Sequence, residues 1–232
     1  MDTVPQANVF FVFSTVNNFT LILPLMNLFK LFKRKRISIG FISYPFNKVK
    51  LELEGWIRPS LTEKWKVKQF SLKGIHKLSS IYSISDDDAV KVIIWQPASI
   101  NFDMVAFITN MGDGWLTLLT SYSYRYNRKT IQIDLSDPKK EYPIYKFDVR
   151  QGKSDSRIVQ AMKDSDKWVF YEKGNTLPFE QRTNYTKRKI SDRLNNLIIE
   201  DYLKKNGIDI NKEDFWRSKG NAVEFFTKLG KA

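Results

Sequence analysis

Few residues in this chain have the type and spacing to do chemistry. The most unusual local pattern runs from Asn110 to Trp115, with Gly112 and Gly114 on either side of Asp113. Glycines there allow backbone angles closed to other residues. Asp113 is placed to cap a following helix, because its carboxylate accepts from free first-turn amides. The same helix start would attract an anion, with Asp113 opposing it. Asp134, Asp137 and Lys139 are the nearest approach to a metal-nuclease set, but Pro138 makes their segment read as a turn. The run Asp86, Asp87, Asp88 reads as a solvated hairpin loop, since adjacent strand residues alternate faces and cannot converge on one cation. His76 is the one histidine, and no carboxylate adjoins it. No phosphate-binding glycine loop and no nucleophile elbow occurs. The sequence therefore names no catalytic residue, no metal ligand and no cofactor, and an unrecognised hydrolase or nuclease stays open as an alternative that would have to depend on Asp113, Asp134 or His76.

Composition narrows the classes further. The 232 residues include no cysteine, so disulfides, thiolate metal sites and cysteine nucleophiles are excluded. The apolar fraction of 42% and aromatic fraction of 14% suit a folded domain rather than a disordered chain. The formal charge of +13 is unevenly spread. Residues 30–85 hold 13 Lys and Arg against 3 acids, so +10, whereas residues 101–180 hold 12 against 11, so +1. A basic surface attracts nucleic acid or anionic lipid. The best candidates for it are Lys64, Lys66 and Lys68, on one face of a strand, and Lys187, Arg188 and Lys189. The plainer reading is that the strand lysines protect a sheet edge from aggregation. Aromatic residues near loops form a second candidate set, for a protein partner: Trp115, Trp168, Phe179 and Trp216, beside Asp113.

The elements that must position these residues read as α+β. Strands are expected over 37–44, 48–54, 65–70, 78–84, 90–95, 103–109, 130–135, 144–150, 157–163, 167–171 and 222–227. A helix is expected from Trp115, with Leu118, Leu119, Tyr122 and Tyr126 at helical spacing. Another opens at Ser191 with a stripe of Leu194, Leu197, Ile198 and Tyr202, and ends at Gly207. Asn211 caps a short helix carrying Phe215 and Trp216. Strands follow strands without regular helical crossovers, so a mainly antiparallel sheet is expected, with C-terminal helices. Residues 37–232 form one domain on this reading, with a possible subdivision near 97–101.

Residues 1–36 differ from the rest. No charge occurs between Asp2 and Lys30, and the apolar stretch 9–29 has the length of a bilayer span. Asn17, Asn18 and Pro24 interrupt it, and Lys30, Lys33, Arg34, Lys35 and Arg36 follow it. Three readings stay open: a membrane anchor with the body on the cytoplasmic side, a buried core element, or a translation start at Met26 with 1–25 not part of the protein.

Several C-terminal elements carry a resemblance: Asp113–Trp115, 168–180, 188–195 and Asp214–Trp216. Residues 101–226 resemble uncharacterised small bacterial proteins found near toxin systems, of the immunity type. The resemblance implies a non-enzymatic protein that binds another protein, as a stoichiometric toxin inhibitor would, and carries over no residue. Inhibitors of basic nuclease toxins tend to be acidic, and this chain is basic. A toxin partner would then present an acidic surface, or the basic side faces elsewhere.

Overall fold

The computed structural model describes residues 25–57, 65–79, 81, 89–153 and 155–228. Its centre is one sheet of nine strands among the described residues, every neighbouring pair antiparallel. In chain order the strands are β1 (Arg36–Ile42), β2 (Lys66–Lys73), β3 (Ala89–Trp95), β4 (Val105–Thr109), β5 (Lys129–Ser136), β6 (Ile144–Gln151), β7 (Asp155–Asp164), β8 (Lys167–Lys173) and β9 (Arg217–Lys228). Across the sheet they run β2-β9-β3-β4-β1-β5-β6-β7-β8. The last strand therefore lies between two early ones, and Pro97 itself bridges to Ser218. The α+β expectation matches this architecture.

The helices are α1 (Leu25–Phe32), α2 (Phe46–Ile57), α3 (Ile75–Ser79), α4 (Leu116–Tyr126) and α5 (Asn196–Lys205). The period-two alternation of β1 divides the molecule into two faces. Ile37, Ile39 and Phe41 point into a larger core shared with α1, α3, α5 and the buried pair Phe215 and Trp216. Ile42, on the other face, joins a smaller core under α2 and α4. Gly40 lets α4 approach closely, since a Cβ there would collide with Leu119. The second face of β5 and β6 carries Gln132, Asp134, Lys146 and Asp148 in place of apolar residues, all of them buried.

Four expectations need correction. Residues 48–54 are not a strand but the middle of α2. Val49 and Leu53, four apart, enter the core while Leu51 is 61% exposed. Alternation alone did not separate the two periods, and the Lys50–Glu54 pair at 3.9 Å supports the helical one. Leu78 and Ser79 end α3 rather than start a strand; residues 82–88, with the aspartate run, lie outside the described residues. Asp113 does not cap α4. Its carboxylate accepts the Trp115 N–H at 2.9 Å, and Trp115, in left-handed backbone, holds the cap position. Finally, α5 opens at Asn196, capped by the Asn195 side chain, after a 3-10 turn at Ile190–Asp192. The buried stripe is then Ile199, Tyr202 and Leu203, and Leu197 is 75% exposed.

The end of the N-terminal apolar run belongs to the core. Leu28, Phe29 and Phe32 are buried against it. Each fully buried side chain of this kind stabilises by roughly 1.5–3 kcal/mol, so drawing α1 into a bilayer would undo that packing. No helix among the described residues is long and apolar enough to cross a membrane. Residues 1–24 lie outside the described residues.

Candidate functional site

The polar residues on the second face of β1, β5 and β6 form a ladder of alternating charge. Register places Ser38 opposite Asp134, and Asp134 opposite Lys146. Arg36 donates to Asp134 Oδ2 at 2.9 Å, and Ser38 Oγ donates to Asp134 Oδ1. Lys146 Nζ lies 3.9 Å from Asp134 and 3.8 Å from Asp148. Arg150 donates twice to Asp148, each time at 2.9 Å. Three cations thus alternate with two carboxylates, and one positive charge is left over. Two polar atoms of this region are buried without a partner, Arg36 Nε and Gln132 Oε1.

A margin of the sheet closes around the Arg36 end of the ladder. There β1 begins while β4 and β5 end. The turn after β5 is tied to the residues before β1: Asp137 N–H donates to the Lys35 carbonyl at 3.0 Å, and Lys140 N–H to the Asp137 carbonyl at 2.9 Å. Lys139 N–H donates to the Asp137 carboxylate. The turn after β4 covers the other side. Gln132 Nε2 donates to the Asp113 carbonyl at 2.7 Å, and Asn110 is stitched to β3 through Ala89 and Lys91. Gly114, at φ +68°, sits where a Cβ would collide with Ser38 and Gln132. Between these turns lies a cavity of about 280 Å³ lined by Arg34, Lys35, Arg36, Ser38, Asn110, Met111, Gly112 and Lys140. A neighbouring cavity of about 290 Å³ shares Arg34 and Lys35 and adds Lys30, Lys33, Lys139 and Asp137. Partial burial, and next the Arg36 charge, hold the Lys140 amine below the usual lysine range; Lys35 adds to this and Asp134 opposes it.

No family model, curated protein or solved structure matches this chain. The site must therefore be read from its own geometry.

A second buried ionic cluster lies on the opposite face. Arg157 on β7 donates to Glu180 through Nε at 2.9 Å and Nη2 at 2.7 Å, to Glu172 at 2.9 Å, and to the Gly174 carbonyl at 3.1 Å. Glu180 also accepts from Leu177 N–H and from Tyr185, whose hydroxyl pairs with Tyr202 at 2.8 Å. Burial opposes the Arg157 charge, and Glu180 and Glu172 more than offset it. Burial, then the bond to Glu180, keeps the Tyr185 phenol protonated well beyond its usual range. A depression of about 450 Å³ adjoins this cluster, but every nitrogen of its arginine already has an acceptor.

The aromatic candidates all make ring contacts within the fold, and Trp115, Trp168 and Phe179 keep part of their surface exposed. Trp216 is fully buried and donates to the Ile210 carbonyl, so it presents no surface to a partner. Phe179 packs edge-on against Phe147 and Tyr202, and Trp168 stacks on Tyr145 at 6.3 Å. Trp115 stacks on Trp65 at 6.2 Å. The Asp113 side chain is exposed, while its backbone joins the cavity wall through Gln132. The basic candidates are scattered. Lys66 and Lys68 are exposed on β2, an edge strand, as an aggregation guard requires; Lys64 lies outside the described residues. Lys187, Arg188 and Lys189 are exposed in the turns beside β7 and β8. His76 is exposed on α3.

Ser38, Gln132, Lys140, Lys146, Asp148 and Arg150 were missed from sequence. One signal was available: Lys146, Asp148 and Arg150 alternate along an otherwise apolar strand. Such residues point to one face and must find partners there.

Proposed function

We propose that this chain is a non-enzymatic binding protein whose partner presents an anionic surface to the basic cleft between β1 and the turns after β4 and β5. One observation carries the reading: among the described residues, four cations and no carboxylate line a single concave opening. Cations gathered this closely repel one another, and an anion relieves that repulsion. The charge bias of residues 30–85 supports the same reading, because the basic run at 30–36 supplies three of the four cations of the cleft. The resemblance to immunity-type proteins adds a protein as the class of partner, and the cleft then calls for an acidic contact surface on it. The aromatic loops give this reading no support, since their rings are engaged within the fold.

The test is binding of the full chain to polyglutamate, followed by fluorescence anisotropy across a sodium chloride series. Affinity is expected to fall steeply with salt and to fall again in the Lys35→Gln/Lys140→Gln double variant. Binding that ignores both salt and these lysines would place the partner surface elsewhere and end the proposal.

A further inference from the structure

We propose that the cavity between β1 and the 110–112 turn is a site for a phosphate monoester group, held by Lys35, Arg36, Lys140 and the Gly112 N–H. The inference deepens the anionic-partner reading and rests on it.

The donor set is what a tetrahedral dianion needs. Lys35 and Lys140 line the cavity and form no ion pair among the described residues. Arg36 is anchored at one end, where Nη2 donates to Asp134. Its Nε–H is buried with no acceptor among the described residues, while the side chain keeps 25% of its surface exposed and lines the cavity. The Gly112 N–H has no acceptor among the described residues, and no atom lies within 4 Å of the place a Cβ would take there. The turn therefore leaves a backbone donor and room beside it.

Asp134 gives this set its orientation. It is wholly buried and accepts from both Arg36 and Ser38. It therefore fixes the guanidinium without entering the cavity wall. A carboxylate ligand carries one charge and two oxygens. A phosphate monoester carries about −1.5 to −2 charges near neutral pH and three acceptor oxygens. The latter matches three cations, one of them partly neutralised by Asp134. The cavity, about 280 Å³, holds a compact group rather than a polymer track. Among the described residues no aromatic ring lines it, so the stacking that single-stranded nucleic acid uses finds no platform there.

The lowered proton affinity of Lys140 fits the same site, since an arriving dianion offsets the Arg36 and Lys35 charges that depress it. Binding should then be accompanied by proton uptake on the alkaline side of neutrality.

The experiment is isothermal titration of the full chain with inorganic phosphate and with glycerol 3-phosphate, in a low-salt zwitterionic buffer. Parallel flotation uses vesicles containing phosphatidic acid or phosphatidylserine. The wild-type chain is expected to bind both soluble probes. Lys140→Gln should weaken them about tenfold or more, the loss of one charge-assisted hydrogen bond. Lys66→Gln/Lys68→Gln removes two charges on the far edge strand and should change nothing. Flotation with phosphatidic acid but not phosphatidylserine, lost in Lys140→Gln, would make a lipid headgroup the source of the phosphate. Response to the soluble probes alone would make it a free ester. No response to either soluble probe, or an equal loss in the edge-strand control, overturns the inference. If polyglutamate still binds in a salt-dependent way, only the phosphate assignment has failed; if it too does not bind, both readings fail.

Discussion

The two buried ionic clusters lie on opposite faces of one sheet and use the same residue types to different ends. At Arg157 every nitrogen has an acceptor, and Glu180 is met by an arginine, a backbone amide and a tyrosine. Such a cluster fastens the 172–185 segment to β7 and has no capacity left for a ligand. At Arg36 the chain of charges ends unbalanced, with a guanidinium nitrogen lacking an acceptor and two lysines unpaired at the cavity wall. Buried polar groups that are fully satisfied rigidify a fold, and those left short have hydrogen-bonding capacity that the fold itself does not use. Burial separates the two arginines as well, since the Arg157 side chain is almost inaccessible and that of Arg36 is a quarter exposed. The hydrogen-bond partners show what that exposure leaves unused.

Stability measurements can break this contrast. The largest effect is expected for Arg157→Ala, which leaves the Glu180 carboxylate buried and without its cation. Losing one partner of such a pair costs about 3–5 kcal/mol. Urea unfolding followed by tryptophan fluorescence reads it, and a loss below about 1 kcal/mol would mean the cluster is not a fastening. Asp134→Asn should cost less, about 2 kcal/mol, because the Asn oxygen still accepts from Arg36 and its amide N–H can donate to the Ser38 hydroxyl, while Lys146 retains Asp148. A cost equal to that of Arg157→Ala would show the ladder to be as structural as the latch.

The smallest effect sharpens the contrast through its sign. Folding lowers the proton affinity of Lys140. A depressed lysine contributes stability above its unfolded pKa, near 10.4, and loses it as pH falls through the folded value. In its charged form Lys140 therefore opposes folding. Lys140→Gln should leave thermal stability unchanged or slightly raised at pH 7, and should flatten its rise in the alkaline range. A clear loss of stability would show that Lys140 serves the fold rather than a ligand.

Much of the architecture was legible in the residues. Alternation at 130–135 and 144–150 and β-branched runs at 37–42 and 90–95 marked strands, because a half-buried pleat demands that pattern. The spacing from Leu118 to Tyr126 marked α4, and Gly207 marked the end of α5. Residues 48–54 misled, since Val49, Leu51 and Leu53 suit a strand by alternation and a helix by the four-residue step between Val49 and Leu53. Only burial decided which.

The candidate site divides along the same line. The sequence by itself determined the charge excess, its concentration around residues 30–36, and the absence of thiol chemistry, because these depend on composition and order alone. It also singled out the 110–115 turn and Asp134. Only the tertiary structure decided that these belong together with Lys140 and β6. Arg36 meets Asp134 across 98 residues of chain through the β1–β5 register. A strand's neighbours are set by sheet order, and here that order places early and late strands side by side for a core that no local pattern encodes.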